Sequence, residues 1–172
     1  MKKFSLLFFI IFIIFCNPVF PNVYEHPAVL KEISEQMPQM KSIQCKFKQE
    51  KHFQNIQKPF ISNGDFKFVE NKGVYFHTTS PIESDVDYTN KNYKQINDII
   101  KAVSAKKYSR LEKEFNFYYQ KNNDNWTLGM KPKKESSAYN YISNITINGT
   151  DYINKIDISQ TNGNKTLLWF TK

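Results

Sequence analysis

Residues 43–81 restrict the fold more than any other part of the chain. Three consecutive segments there alternate apolar and polar side chains with the two-residue period of a β-strand. Ile43, Cys45 and Phe47 point one way, and Lys46, Lys48 and Glu50 the other. Phe66 and Phe68 share a face opposite Asp65 and Lys67, and Val74, Phe76 and Thr78 oppose Tyr75 and His77. The segments are joined through Asn63-Gly64 and Asn71-Lys72-Gly73, residues that tolerate positive φ, and this is the pattern of an antiparallel meander. Parallel strands would be separated by crossovers of about a dozen or more residues. A sheet with so apolar an inner face must cover something, and what it covers decides the function.

At 172 residues the chain fits one domain able to bury a conventional core. Lys2-Lys3 ahead of an apolar run at 4–15 reads as an export signal over 1–21, which leaves a single domain over 22–172. That run is too short to span a bilayer comfortably. The segment Asn17-Pro18-Val19-Phe20-Pro21 lacks small residues for cleavage, so an uncleaved anchor is the alternative. Cys16 opens a lipoprotein reading that the bulky Phe15 opposes. Losing Lys2 and Lys3 takes the formal charge from +8 to +6, still basic. A basic exported domain fits an anionic membrane surface or an acidic protein better than nucleic acid. Strict alternation also sends Lys46 and Lys48 to the face opposite Phe47, so they build no joint stacking and phosphate-binding surface. Cys45 is the only cysteine in 22–172 and cannot form an internal disulfide; its place on the apolar face marks a buried structural thiol.

Around the meander, Pro27 reads as the start of a helix with Val29, Leu30, Ile33 and Met37 on one stripe, ending near Pro38. Strands are expected over 42–53, 60–70 and 72–79, with a polar loop at 54–58. Val86 and Tyr88, before an Asn90-Lys91-Asn92 turn, suggest a further hairpin reaching Tyr93. Asn97 reads as the cap of a short helix through Ile99, Ile100 and Val103, and Ser109-Arg110-Leu111-Glu112 has capping-box spacing. Strands resume over 117–120. After a turn at 122–125, Trp126, Leu128 and Met130 alternate with Thr127 and Gly129 up to Pro132. A helical or coil insertion over 135–141 precedes strands around Ile145, Ile156 and Leu168, with turns expected at Asn148-Gly149 and Asn162-Gly163.

His26, His52 and His77 are far apart and form no metal-ligand set by spacing. No Gly-rich phosphate loop, nucleophile elbow or histidine-paired cysteine motif occurs. Glu112, Glu114 and Asp124 read as solvated helix and turn residues. Sequons at Asn125, Asn144, Asn148 and Asn164 are expected by chance in so Asn-rich a chain. The sequence therefore supplies no positive support for an enzyme, a metal site or a cofactor.

The motifs Phe47-Lys48-Gln49-Glu50, Asn63-Gly64-Asp65-Phe66-Lys67-Phe68 and Gly73-Val74-Tyr75-Phe76-His77-Thr78-Thr79-Ser80-Pro81 follow one another in order. Together they resemble the F-x-Q-K, G-x-[FL]-x-[FW] and aromatic-x-x-x-x-P signature of LolA-type outer-membrane lipoprotein carriers. Trp126-Thr127-Leu128-Gly129-Met130-Lys131-Pro132 is similar to the family's later strand ending in L-x-P, and the Asn148-Gly149 and Asn162-Gly163 segments are similar to its closing hairpins. The resemblance covers about residues 30–170.

It implies a mainly β fold with some helix: a strongly curved antiparallel half-barrel, an incomplete β-barrel, with short helices covering its concave apolar face. It also implies a monomeric periplasmic carrier in a Gram-negative-type bacterium. Such a carrier takes an acylated lipoprotein, or another lipid cargo, from an inner-membrane transporter to an outer-membrane acceptor. On that pattern Phe47, Phe66, Phe68, Val74, Phe76, Trp126, Leu128 and Met130 are candidate cavity lining. Leu30, Ile33, Met37, Ile99, Ile100 and Val103 are candidate lid residues, with ordinary core packing the competing account of each. Asn71-Lys72 stands where the family carries Arg-Pro, which implies a divergent branch. The alternative function is a non-transport periplasmic sensor or adhesin on the same scaffold.

Overall fold

The structure is a computed structural model that describes residues 22–70, 72–87 and 94–172. The expected signal over 1–21 and the expected turn of the hairpin around Asn90-Lys91-Asn92 lie outside the described residues. The strands are β1 (Ser42–His52), β2 (Phe60–Val69), β3 (Gly73–Ser80), β4 (Ser84–Asp87), β5 (Phe115–Asn122), β6 (Asn125–Pro132), β7 (Ile142–Gly149), β8 (Ile153–Gln160) and β9 (Lys165–Thr171). They form one curved antiparallel sheet in the order β4-β3-β2-β1-β9-β8-β7-β6-β5, open between β4 and β5, as the half-barrel expectation required. Most neighbours in the sheet are hairpin partners. The exception is β1 with β9, where Lys46 faces Thr171 across nearly the whole domain.

The two-residue period holds one face apolar from edge to edge. Gln49, Leu168, Ile156, Ile147, Leu128 and Tyr119 lie opposite one another in succession across β1, β9, β8, β7, β6 and β5. Beyond β1, Cys45 faces Phe66, Phe66 faces Phe76, and Phe76 faces Val86. Gly64, expected at a turn, lies inside β2, whereas Gly149 ends β7 directly before the expected hairpin to β8. The register shifts between Asn63 and Gly64 and between Asn148 and Gly149, irregularities of the kind that bend a strand. A Cβ on Gly64 would run into the His77 carbonyl oxygen, and one on Gly149 into the Trp126 ring. Asn162-Gly163 does turn the chain, with Gly163 at φ +80°.

The N-terminal segment crosses the outer face before reaching the helices. Val23 and Tyr24 lie over Gly129, where a Cβ would come within 2.9 Å of Tyr24 Cε1, and the Tyr24 hydroxyl donates to the Ile145 carbonyl at 3.0 Å. Residues 26–28 then pair with the free edge of β5: Tyr119 N–H donates to His26 O at 3.0 Å and Ala28 N–H to Phe117 O at 3.1 Å. That pairing covers one exposed sheet edge. It also explains why the first helix, α1 (Leu30–Gln36), starts later than Pro27, which is drawn into a bridge with Tyr118.

Two more helices join β4 to β5: α2 (Lys94–Ser104) and α3 (Ser109–Glu114). Neither is capped as expected. Asn97 lies inside α2 and is buried, and α3 takes Tyr108 as its capping residue without a side-chain cap bond. A 3-10 turn at Ser137–Asn140 occupies the insertion before β7.

Candidate functional site

All eight candidate lining residues face the concave side and are buried, none more than 7% exposed. Phe47 and Phe76 meet with centroids 5.1 Å apart, Phe66 and Phe76 at 5.0 Å, and Phe66 and Phe170 at 4.5 Å. Trp126 is anchored by its Nε1, which donates to Thr150 O at 2.6 Å. Of the candidate lid residues, Ile33, Met37, Ile99, Ile100 and Val103 are buried in the same cluster, and Leu30 packs against it partly exposed. Thus α1 and α2 are seated on the concave face by their apolar stripes.

The two helices are also joined to each other. The Tyr108 hydroxyl donates to Met37 Sδ at 3.4 Å, Lys106 Nζ donates to Ser34 O at 2.7 Å, and Met40 N–H donates to Ser104 O at 3.1 Å. Because these contacts hold the end of α2 to the region around α1, displacement of one helix would disturb the other.

With the rings packed together, the free space lies to the sides. A cavity of about 630 Å³ separates α2, α3 and the start of β5, walled by Phe68, Ile99, Ala102, Leu111, Phe115 and Ala138. Lys101, Lys107, Arg110 and Asp98 stand at its margin, with Arg110 bound to Asp98 at 3.2 Å. Of the candidate residues only Phe68 and Ile99 line it. A smaller space of about 210 Å³ adjoins Phe47, Phe76, Val86 and Gln49. Its neighbour of about 420 Å³ shares Gln49 and Ser62 and opens among the exposed Phe53, Ile56 and Phe60. Phe66, Val74, Trp126, Leu128 and Met130 line none of these three spaces.

Glu114 departs from its reading as a solvated helix residue: it is half-buried at the wall of the 630 Å³ cavity, and its Oε2 is enclosed with no hydrogen-bond partner. Sequence pattern missed this cavity because it depends on how α2 and α3 sit against β5. One signal was present. The chain has alanine only at 28, 102, 105 and 138, and the last three line this cavity. Small side chains at facing positions leave volume that larger ones would fill.

Burial, reinforced by Asp65 and opposed by Lys172, pushes the Cys45 thiol up to about 11, which keeps it protonated and inert. His77 is on the outer face, 2.9 Å from Asp85 and 3.9 Å from Glu83, and the hydrogen bond to Asp85 raises its pKa. Among the described residues no three His, Cys, Asp or Glu side chains converge as a metal set, and no helix is long and apolar enough to cross a membrane.

Two solved structures superpose loosely on the chain. The crystal structure of LolA superfamily protein NE2245 from Nitrosomonas europaea has 8% identity and a TM-score of 0.41, over 83% of this chain and 90% of that chain. That of a putative outer membrane lipoprotein-sorting protein domain from Vibrio parahaemolyticus has 10% identity and a TM-score of 0.38, over 88% of this chain and 92% of that chain. No family model matches the sequence, and no curated protein does. Similarity this low carries no residue role across to this chain.

Proposed function

We propose that residues 22–172 act as a periplasmic carrier that shields the acyl chains of a lipoprotein, or of a related lipid, and delivers them toward the outer membrane. The observation that carries the reading is the concave face itself. It is apolar across an open sheet and is covered by two short helices seated through Ile33, Met37, Ile99, Ile100 and Val103. Moving an acyl chain from membrane to water costs about 0.8 kcal/mol per CH₂, so a carrier needs apolar surface on that scale. Phe47, Phe66, Phe68, Val74, Phe76, Trp126, Leu128 and Met130 are the proposed lining. Leu30, Ile33, Met37, Ile99, Ile100 and Val103 are the proposed lid.

With seven and eleven residues, α1 and α2 are too short to be stable alone and depend on that seating. A ligand on the same face competes for it, and it opens the lid to the extent of its differential affinity for the open state. Residues 1–21 serve as the export signal. A membrane transporter and an outer-membrane acceptor are the partners this role requires. The mechanism is burial alone, with no cofactor and no chemical step.

A second reading, a non-transport sensor or adhesin on the same scaffold, is favoured by the ring-to-ring packing that fills the concave face without a ligand. Native mass spectrometry of the protein purified from its own periplasm separates the two. Acylated species that co-purify support the carrier. A ligand-free protein whose Phe76→Glu variant still supports envelope growth overturns it and leaves the second reading standing.

A further inference from the structure

Four loops close the same end of the sheet: 53–59 between β1 and β2, 81–83 between β3 and β4, 133–141 between β6 and β7, and 161–164 between β8 and β9. They lie side by side. Gln54 N–H donates to Asn164 Oδ1 at 3.1 Å, and Thr161 N–H donates to Tyr141 O at 3.1 Å, which ties three of the loops together. Ile82 of the remaining loop borders the same small space as Gln49 and Ser62, and those two residues also border the space among Phe53, Ile56 and Phe60.

Exposed apolar side chains gather on this end. Phe60 is 59% exposed, Tyr141 69% and Ile82 77%, with Phe53, Ile56 and Tyr139 exposed beside them. Of the large apolar and aromatic side chains exposed among the described residues, only Val29 and Tyr75 lie away from it. Such a concentration marks a surface that meets a partner. The β1–β2 loop presents its rings in a defined arrangement: Phe53 and Phe60 meet edge to face with centroids 5.5 Å apart, and Ile56 N–H donates to Phe53 O at 3.0 Å.

The charge around these side chains is positive. Residues 51–60, 81–84, 133–141 and 161–165 carry lysines at 51, 58, 133, 134 and 165 against glutamates at 83 and 135, a formal balance of +3. Lys165 is engaged by Asp157, but among the described residues Lys58, Lys133 and Lys134 form no ion pair.

We infer that this end of the sheet docks on the surface of an anionic lipid bilayer, with Phe53, Ile56, Phe60 and Ile82 entering the head-group boundary and Lys58, Lys133 and Lys134 meeting lipid phosphates. A bilayer suits the arrangement better than a protein facet does. The apolar groups sit on four separate loops, and a fluid surface takes each at its own depth, whereas a rigid facet must match all of them at once. Tyr139 and Tyr141, apolar rings with polar tips, belong at the same boundary. The lysines add an attraction to anionic lipid that salt screens. The inference goes beyond the carrier reading, which assigns no surface to the membrane, and does not depend on it.

The test floats the protein, purified from its own periplasm without added cargo, with vesicles of equal parts phosphatidylglycerol and phosphatidylcholine or of phosphatidylcholine alone. Binding to the anionic vesicles is expected to be at least roughly tenfold tighter, and to lose most of that advantage in about 0.5 M salt. Phe53→Ser combined with Phe60→Ser weakens it by at least roughly tenfold, while Val29→Ser, exposed away from the four loops, leaves it unchanged. All three positions are exposed, and circular dichroism checks that each variant is folded. Brominated acyl chains quench Phe53→Trp beyond the level of the native tryptophans, and do not quench Tyr75→Trp.

Absence of binding to both vesicles overturns the inference, as does binding that the double variant leaves unchanged. Equal quenching of Phe53→Trp and Tyr75→Trp does the same, because the contact is then not confined to this end. A photo-cross-linker placed at Phe60 that traps one envelope protein, with vesicles left unbound, assigns the surface to a protein and also overturns it. None of these measurements reads acyl uptake, so the carrier reading stands or falls separately.

Discussion

Phe47 and Phe76 meet edge to face, ring centroids 5.1 Å apart and planes at 89°, although β2 lies between their strands. They touch because the β2 residue opposite Phe47 is Gly64, which has no side chain to separate them. A Cβ built at Gly64 would sit 2.9 Å from Phe47 Cε1 and would also strike the His77 carbonyl oxygen. One small residue thus sets both the bend of β2 and the ring cluster of the concave face.

Gly64→Ala is accordingly expected to destabilise the fold by about 3 kcal/mol, the upper part of the range for overpacking, since one clashing atom is backbone that cannot rotate away. Urea unfolding monitored by circular dichroism measures it. A loss below about 0.5 kcal/mol would show that β2 shifts freely at this point.

Asn97 is 1% exposed in α2, and neither its Oδ1 nor its Nδ2 has a hydrogen-bond partner. Replacing it with an apolar residue of similar size removes two unmet polar groups, and Asn97→Leu should raise stability by about 1–3 kcal/mol. If α2 must lift to admit a ligand, the same variant should also slow ligand uptake in stopped-flow fluorescence. A destabilised Asn97→Leu would mean that the amide is satisfied in solution.

His77 supplies a pH dependence with a defined sign. Its pKa is raised, first by the hydrogen bond to Asp85 and then by the charges of Asp85, Glu83 and Asp65 against the opposing effect of desolvation. A raised folded-state pKa means that the contribution is fully present below the ordinary histidine value and is lost as pH rises through the raised one. The thermal midpoint should therefore fall between about pH 6 and pH 8 by an increment that Asp85→Asn abolishes. NMR titration of the imidazole should show its pKa returning toward the ordinary range in that variant; an unchanged titration would remove Asp85 as the cause.

Cys45 is 7% exposed on the inner face of β1, with its thiol pushed up to about 11 by burial. Alkylation by iodoacetamide near neutral pH should be slower in the native protein by at least about a hundredfold than in urea, because the thiolate is scarce and screened. Labelling at equal rates in both states would show that β1 opens readily.

The alternation of Ile43, Cys45, Phe47, Phe66, Phe68, Val74 and Phe76 by itself determined the antiparallel sheet and which face is apolar, because the two-residue period is local and survives any arrangement of the rest. The same local logic put Ile33, Met37, Ile99, Ile100 and Val103 on helical stripes. It misplaced Pro27, Asn97 and the glycine of Asn63-Gly64, whose roles are set by β5, by burial against the sheet and by cross-strand contacts distant in sequence.

Only the tertiary structure decided that the aromatic face is filled by its own rings and that a free volume of about 630 Å³ lies between α2 and α3 with Glu114 at its wall. Volume between packed elements depends on how separate segments approach each other, and no short-range pattern in the chain encodes that distance.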